Sequence, residues 1–295
     1  MFTKIINIDF LISFVLALIM FGIGTSISFE KFKNQLLKPK AVFIGLVLQL
    51  ILLPSITLLI TYFTNLSSEL KMGIFIVSIC PGGATSNFIS YILKADVALS
   101  VVLTIINSFL ILITIPILIN FGLEFYDISY FEKKLNLTHS IFELLSVLIV
   151  PVFLGVLFNH KKPQLTNKFS YYIKIITTFL LAMVFGIKFF GSSEIGGSEI
   201  SLYQIMKLLP ICLCIHLFSM FLSYIIAVKN KVKRVRSITI AIEVGLQNTT
   251  LALLITSVLL NNIEMSKPAL VFAMFSFFTT LIFSITVKNL NHLLK

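Results

Sequence analysis

The sequence predicts an all-α polytopic membrane protein with nine transmembrane helices, and three observations lead to that prediction. Of the 295 residues, 58% are hydrophobic and only 12% are charged, and the mean hydropathy is +1.04. Soluble domains carry about 25% charged residues. The apolar residues also fall in repeated blocks of about 20, the length that crosses a bilayer as a helix. These blocks lack the period-2 alternation of a transmembrane β-barrel.

The apolar blocks define the predicted spans, with ends placed to within a few residues. They cover residues 8–28, 41–63, 71–93, 97–121, 138–158, 171–190, 202–228, 237–260 and 267–290. A polar segment, Glu124 to Thr138, separates a first group of four spans (8–121) from a second group of five (138–290). No large soluble stretch interrupts them, so we expect one membrane domain over residues 1–295.

Basic residues predict the orientation of the chain. Most of the 23 Lys and Arg residues lie in 29–40, 94–96, 159–170, 229–236 and the C-terminus. Cytoplasmic loops are enriched in such residues. We therefore expect a protein of the cytoplasmic (inner) membrane with its N-terminus outside and its C-terminus inside. This distribution accounts for the net charge of +11 without a nucleic-acid partner.

The third span is interrupted by Pro81, Gly82 and Gly83. Proline removes a backbone donor and glycine relaxes the helix beside it. Backbone groups freed at membrane depth need partners, so such a break faces protein or a water-filled cavity. Three polar residues follow at once, Thr85, Ser86 and Asn87. Each can cap a new half-helix or offer an oxygen to a cation. The combination favours a binding site over the alternative, a structural kink.

The eighth span contains an acidic residue, Glu243, followed by Gly245, Gln247 and Asn248. An ionised carboxylate inside a bilayer is costly, and such residues commonly mark ion or substrate pathways. Because the basic residues lie in loops or at span ends, a proton or a bound cation must neutralise Glu243. Gln247 and Asn248 supply neutral oxygens that hard cations prefer, and Gly245 permits unwinding. Cation binding is the favoured interpretation, and a protonated buried acid is the alternative.

The two breaks lie in spans that run in opposite directions across the membrane. Interrupted spans at corresponding positions of two halves are typical of inverted-repeat transporters, whose site lies between them. Half-helix N-termini at such a site favour an anionic substrate, while carbonyl groups and carboxylates hold a cation. No Walker sequence, nucleophile elbow or metalloprotease motif occurs. We therefore expect a transporter and not an enzyme.

The remaining polar residues of the spans do not by themselves predict a binding site. Gln49 is compatible with a site or with a simple bridge between helices. Hydroxyls such as those of Ser100 and Thr104 usually bond to their own helix. His216 is more typical of a neutral bridge between helices than of a ligand or proton relay. Gly22 and Gly24 are expected to let helices pack closely.

Three stretches resemble the motifs of the bile acid:sodium symporter family in order and spacing. They run from Cys80 to Asn87, from Asp96 to Thr104 and from Ile242 to Asn248. The resemblance implies a core domain with two crossed broken helices, and a smaller panel domain. The implied panel spans are 8–28, 138–158 and 171–190. The implied core spans are 41–63, 71–93, 97–121, 202–228, 237–260 and 267–290.

The resemblance also implies the ligands of two sodium ions. The first set comprises Ser86, Asn87, Ser100, Thr104 and Glu243. The second comprises Gln49, Glu243, Gln247 and the backbone carbonyls of Val244 and Leu246. Thr85 and Asn248 would face the substrate.

The implied activity is sodium-coupled symport of an organic anion, bile-acid-like or a small carboxylate, by alternating access. Sodium is the only metal expected, with no organic cofactor and no obligate protein partner besides membrane lipid. Phe275 and Ser276 stand where some family members carry a His-Asn pair, so the resemblance does not name the anion. Proton-coupled transport or exchange of organic anions remains an alternative within transport. A channel or a non-transporting membrane sensor is the alternative from a different class.

Overall fold

The computed structural model describes residues 8–25, 35, 39–128, 142 and 144–290. Helices are the regular elements of these residues, with turns and short loops between them and no β-strand. Five helices are long and apolar enough to cross a membrane by themselves. They are Ile8–Thr25, Pro39–Tyr62, Val97–Phe125, Leu202–Lys229 and Ile263–Asn289. The other predicted spans contain shorter helices, except 171–190, which lies in a 28-residue helix whose apolar part, Ile175–Phe190, is short. Residues 129–141 and 143, which include the polar segment and most of the start of the predicted span 138–158, lie outside the described residues.

The helices are numbered here in chain order. They are α1 (Ile8–Thr25), α2 (Pro39–Val47), α3 (Leu53–Tyr62), α4 (Ser68–Ile79), α5 (Ala84–Ile92), α6 (Val97–Phe125), α7 (Val150–Lys161), α8 (Pro163–Phe190), α9 (Leu202–Lys229), α10 (Arg234–Gly245), α11 (Thr249–Leu253) and α12 (Ile263–Leu290). The structure also contains three π-helical turns. One, Leu48–Leu52, joins α2 to α3; a second, Leu145–Ile149, precedes α7; and the third, Leu254–Leu259, follows α11.

The loop predicted at 159–170 is much shorter than expected. Helix α7 continues to Lys161 and α8 begins at Pro163, so only Lys162 lies between them. Proline is favourable in the first turn of a helix because it needs no backbone donor there. The polar residues that follow Pro163 extend the helix beyond its apolar part, and hydropathy alone cannot detect such an extension.

Helix α1 packs against α7 and α8. Glycines allow the close approach of α1 to α7, as predicted for Gly24. A Cβ added to Gly24 would lie 2.1 Å from the carbonyl oxygen of Val152, and one on Gly155 would lie 2.3 Å from that of Phe21. Small residues permit this backbone contact between membrane helices, where dispersion forces replace the hydrophobic effect.

A second group of helices surrounds the two interrupted segments. Helix α9 runs along α10, α12 packs against α4 and α9, and α6 contacts α2, α4, α5 and α10. At one end of this group the start of α10 meets the start of α6, where Nε of Arg236 lies 3.2 Å from Oδ2 of Asp96. Gln35 bonds to both of these residues. These three residues come from three basic loops that were predicted to lie on one side of the membrane. The contacts among Gln35, Asp96 and Arg236 bring the three loops together.

Candidate ion-binding site

The first break separates α4 from α5. Helix α4 ends at Ile79, and Cys80 is extended at φ −73° and ψ 148°, as expected for a residue before proline. Gly83 is also extended, at φ −125° and ψ −173°, and α5 begins after it without a side-chain cap. A Cβ on Gly82 would lie 2.2 Å from Oε1 of Glu243. Only glycine therefore fits beside this carboxylate.

The second break separates α10 from α11. Helix α10 ends at Gly245, and Leu246 is extended at φ −100° and ψ 106°. The side chain of Asn248 caps the next half-helix, because its Oδ1 accepts a bond of 3.0 Å from the amide of Leu251. The last carbonyls of α10 have no helical partner, as at any helix C-terminus.

The two breaks cross, and each supplies backbone hydrogen-bond partners to the other. Gly82 and Gln247 form an isolated antiparallel bridge, and the amide of Asn248 donates to the carbonyl of Pro81 at 2.8 Å. Backbone groups freed from a helix inside a membrane must find protein partners. Each break therefore supplies the other's partner, and the crossing brings two unwound segments to one point.

Glu243 lies at this crossing and is 1% exposed. The hydroxyl of Ser100 donates to its Oε2 at 2.8 Å and that of Thr104 donates to its Oε1 at 2.6 Å. The hydroxyl of Ser86 also interacts with this carboxyl and bonds to the carbonyl of Gly83 at 2.7 Å. Within the described part of the chain no basic side chain forms a salt bridge with Glu243, whereas Arg236 pairs with Asp96 and Lys267 with Glu264.

Several buried amide groups near the crossing have polar atoms without hydrogen-bond partners among the residues that the structure describes. Both polar atoms of Gln49 are unpartnered, and this residue, 1% exposed, lies in the π-helical turn after α2. Gln247 donates from Nε2 to the carbonyl of Val244 at 2.6 Å, while its Oε1 has no partner. Oδ1 of Asn87 is also unpartnered. Buried polar groups without partners cost free energy, so these oxygens suit a bound cation.

The two residues predicted to face a substrate both lie close to Gly83. A Cβ added there would lie 3.7 Å from Oγ1 of Thr85 and 4.0 Å from Cβ of Asn248. Thr85 is exposed and Asn248 is 7% exposed. The structure therefore brings Thr85 and Asn248 together beside the first break, while Ser100 and Thr104 approach Glu243 from α6.

Sequence reasoning passed over one buried polar residue of α6. Asn107 is 0% exposed and both of its side-chain polar atoms are unpartnered. It follows Ser100 and Thr104 at spacings of seven and three residues, which places all three on one face of the helix. That i, i+4, i+7 pattern of polar residues is the signal by which the sequence itself identifies it.

Comparisons with known proteins agree with the motifs. The model of the Sodium Bile acid symporter family matches residues 13–197. The chain is 28% identical over 243 residues to an uncharacterized sodium-dependent transporter of Bacillus subtilis. This match covers 81% of the chain and 71% of the Bacillus protein. It is 30% identical over 251 residues to the hepatic sodium/bile acid cotransporter of Rattus norvegicus. This match covers 83% of the chain and 66% of the rat protein.

A third relative is a probable chloroplastic sodium/metabolite cotransporter of Oryza sativa, 29% identical over 238 residues. The match covers 81% of this chain and 56% of the rice protein, so the chain spans little more than half of that relative's length. All three relatives are named as transporters or cotransporters, and none is named as an enzyme. The matches confirm the family resemblance drawn from the motifs.

Proposed function

Because the chain belongs to the sodium bile acid symporter family, we propose that it is a secondary active transporter which moves an organic anion inward together with sodium. The observation that carries this proposal is the chemistry around Glu243. A buried carboxylate, with no basic partner in the described part of the chain, lies at the crossing of two unwound helices. Oxygen donors surround it, and hard cations prefer carboxylate, carbonyl and amide oxygens.

The first sodium ion binds, in this proposal, to Ser86, Asn87, Ser100, Thr104 and Glu243. Its support lies in the contacts of the two hydroxyls from α6, which already touch the carboxylate at 2.8 and 2.6 Å. A hydroxyl that donates to a carboxylate keeps lone pairs for a cation. Asn87 adds an amide oxygen that has no protein partner. One negative charge then balances one cation in a site otherwise built from neutral oxygens.

The second sodium ion binds to Gln49, Gln247, Glu243 and the backbone carbonyls of Val244 and Leu246. Gln49 supports this assignment most strongly, because its buried amide has no protein partner at either atom. The Nε2 group of Gln247 bonds to the carbonyl of Val244 at 2.6 Å. A cation at Val244 must therefore displace this bond, and the freed Gln247 side chain turns its oxygen towards the ion.

The substrate binds beside Thr85 and Asn248. Helix α5 begins there without a side-chain cap, and helix N-termini with free amides attract anions. On the next turn of α5, Phe88 is 54% exposed, and its ring stacks on that of Phe277 with 6.5 Å between the ring centroids. The aromatic pair offers an apolar surface to the body of an organic anion. Both proposed sodium sites share the single charge of Glu243, so a substrate anion bound at the same crossing adds the negative charge that favours the second ion.

The transport cycle follows from the grouping of the helices. We assign α1, α7 and α8 to the panel and the remaining helices to the core, with nine spans in two inverted repeats. Helix α1 packs closely on α7 and α8, and the two breaks run antiparallel at their bridge. Rocking of the panel against the core then exposes the crossing to each side of the membrane in turn. The loops that hold Gln35, Asp96 and Arg236 face the cytoplasm.

Uptake by reconstituted protein tests the proposal. Proteoliposomes with an inward sodium gradient are screened against a set of labelled carboxylates and bile acids, with potassium replacing sodium as the reference. We expect sodium-dependent uptake of at least one anion, and its loss in Glu243→Gln, which keeps the shape and removes the charge. Glu124→Gln, at an exposed carboxylate near the end of α6, serves as the matched control and should transport normally.

The competing proton mechanism gives a different pattern in the same vesicles. An inward proton gradient without sodium would drive uptake if Glu243 carried a proton instead of sodium. Uptake that depends on the proton gradient alone, or normal sodium dependence in Glu243→Gln, would contradict the sodium assignment.

A further inference from the structure

Three core helices start together at one end of the molecule, and this common start sets their relative levels. Arg236 at the start of α10 pairs with Asp96 before α6, and Gln35, which precedes α2, bonds to both. The three helices therefore run in the same direction from this end. Asn107 lies eleven residues beyond Asp96, and Gln247 lies eleven residues beyond Arg236. Because an α-helix rises by about 1.5 Å per residue, the two amides lie close to one level.

Gln49 reaches the same level from α2. A Cβ added to Gly45 would lie 2.8 Å from Cδ2 of Leu103, so α2 and α6 touch at these two residues. Gln49 follows Gly45 by about one turn, and Asn107 follows Leu103 by about one turn. The π-helical turn that contains Gln49 also contacts α10. Gln49 and Asn107 therefore lie at neighbouring positions beside α10.

The rotation of Asn107 about the α6 axis directs it between α2 and α10. Thr104 faces α10, because its hydroxyl bonds to Glu243, whereas Leu103 faces α2. At 3.6 residues per turn, Asn107 lies roughly 40° around the helix from Leu103 and roughly 60° from Thr104, between the two. Its side chain therefore enters the space that the π-helical turn after α2 shares with α10.

Three buried amides thus converge with polar atoms that lack partners. Within the described part of the chain, both polar atoms of Gln49, both of Asn107 and Oε1 of Gln247 have no hydrogen bond. The three residues are 1%, 0% and 5% exposed, respectively. Each amide carries a donor and an acceptor, so Gln49 and Asn107 could bond to each other, yet they do not. Unpartnered buried amides cost free energy, and a cation between them gives a partner to all three oxygens.

We propose that Asn107 is a further ligand of the second sodium ion, which it binds through Oδ1. Its oxygen joins those of Gln49 and Gln247 around that ion. Amide oxygens are donors that hard cations accept, and they add no charge to the site. The ion is then held by side chains of α6 as well as those of α10 and the turn after α2. This inference rests on the proposed function and adds a ligand to its second site.

Two substitutions at Asn107 separate a ligand from a packing residue. Asn107→Leu keeps a similar volume and removes the oxygen, whereas Asn107→Asp keeps the oxygen and the shape. A residue that only packs in the core should tolerate Leu better than Asp, because a buried unpaired charge is costly. A sodium ligand should show the opposite order in its sodium response.

The measurement is sodium-dependent thermal stabilisation of the purified full chain, titrated at constant total salt with potassium. We expect Asn107→Leu to raise the half-saturating sodium concentration by about tenfold, and Asn107→Asp to keep it at or below the wild-type value. An unchanged value in Asn107→Leu, or a larger rise in Asn107→Asp than in Asn107→Leu, would overturn the inference.

Thr114 provides a matched control on the same helix. Its hydroxyl is also buried without a partner among the described residues, and it lies two turns beyond Asn107, roughly 10 Å along α6. Thr114→Val therefore removes an unpartnered polar atom outside the proposed site and should bind sodium like the wild type. A rise as large as that of Asn107→Leu would show that the effect comes from α6 in general and would count against the ligand role.

A double-mutant cycle gives a second readout that does not depend on the acidic variant. If Gln49 and Asn107 hold the same ion, removing the second ligand has little left to weaken once the first is lost. The double variant Gln49→Leu/Asn107→Leu should therefore raise the half-saturating concentration by less than the product of the two single effects. Effects that simply multiply would place the two residues at independent sites. A wild-type chain without any sodium response would instead overturn the proposed function.

Discussion

Gly82 lies at the helix crossing so close to Glu243 that a single methyl group would disturb the site. In Gly82→Ala the new Cβ would lie 2.2 Å from Oε1 and 2.6 Å from Cδ of the carboxylate. Non-bonded heavy atoms settle about 3.5 Å apart, so the carboxylate must retreat by roughly 1 Å. The bonds from Ser100 and Thr104, now 2.8 and 2.6 Å, would then stretch beyond hydrogen-bonding range.

The loss of these two bonds determines the size of the effect. Hydrogen bonds to charged groups contribute about 1.5–3 kcal/mol each in soluble proteins, whereas bonds between membrane helices average about 0.6 kcal/mol. Together the two bonds therefore contribute between roughly 1 and 6 kcal/mol. Since about 1.4 kcal/mol corresponds to a tenfold change in an equilibrium constant, the half-saturating sodium concentration should rise by on the order of tenfold or more.

Two other glycines provide matched controls in the same thermal assay with sodium titrated against potassium. A Cβ on the neighbouring Gly83 would meet nothing closer than 3.7 Å, and one on Gly186 would meet nothing within 4 Å. Gly83→Ala and Gly186→Ala should therefore bind sodium like the wild type. Combining Gly82→Ala with Glu243→Asp shortens the acid and should recover part of the response. A sodium titration of Gly82→Ala that matches the wild type would refute the steric argument.

Two further predictions concern α6 and the orientation of the chain. Asn107→Leu removes two buried unpartnered polar atoms, so it should raise the melting temperature in potassium by a few degrees while weakening the sodium response. A stabilised variant with an unchanged sodium response would show that Asn107 has no part in ion binding. A cysteine at Lys229 should react with a membrane-impermeant maleimide only from the cytoplasm, and one at Glu194 only from outside. The reverse labelling would invert the proposed topology.

The sequence predicted both breaks and the acid at their crossing because each of these features violates a local rule. A lipid-facing helix has no reason to carry Pro81 with two glycines, or Glu243 without a basic partner. Such violations are visible in one short window of sequence. The π-helical turns and the start of α8 at Pro163 were not predicted, since they depend on backbone geometry and on packing between helices.

Ser100, Thr104 and Gln49 illustrate the limit of sequence reasoning in a membrane protein. Helix α6 is apolar over most of its surface, and only the spacing of Ser100, Thr104 and Asn107 marks one face of it. A hydroxyl on such a helix looks the same whether it bonds to its own backbone or to Glu243. Family resemblance selected these residues, and Asn107 was missed because the stretch that resembles the family ends at Thr104.

The amino-acid sequence alone determines that this chain is a helical membrane protein with two interrupted spans, because composition, block length and misplaced polar residues are properties of the chain itself. Tertiary structure decides which side chains meet. The antiparallel crossing of Gly82 with Gln247 brings the hydroxyls of α6 to Glu243, and the packing of α9 places Met220 against Gly245. Helix rotation and register control these contacts, and both arise from packing between segments far apart in sequence.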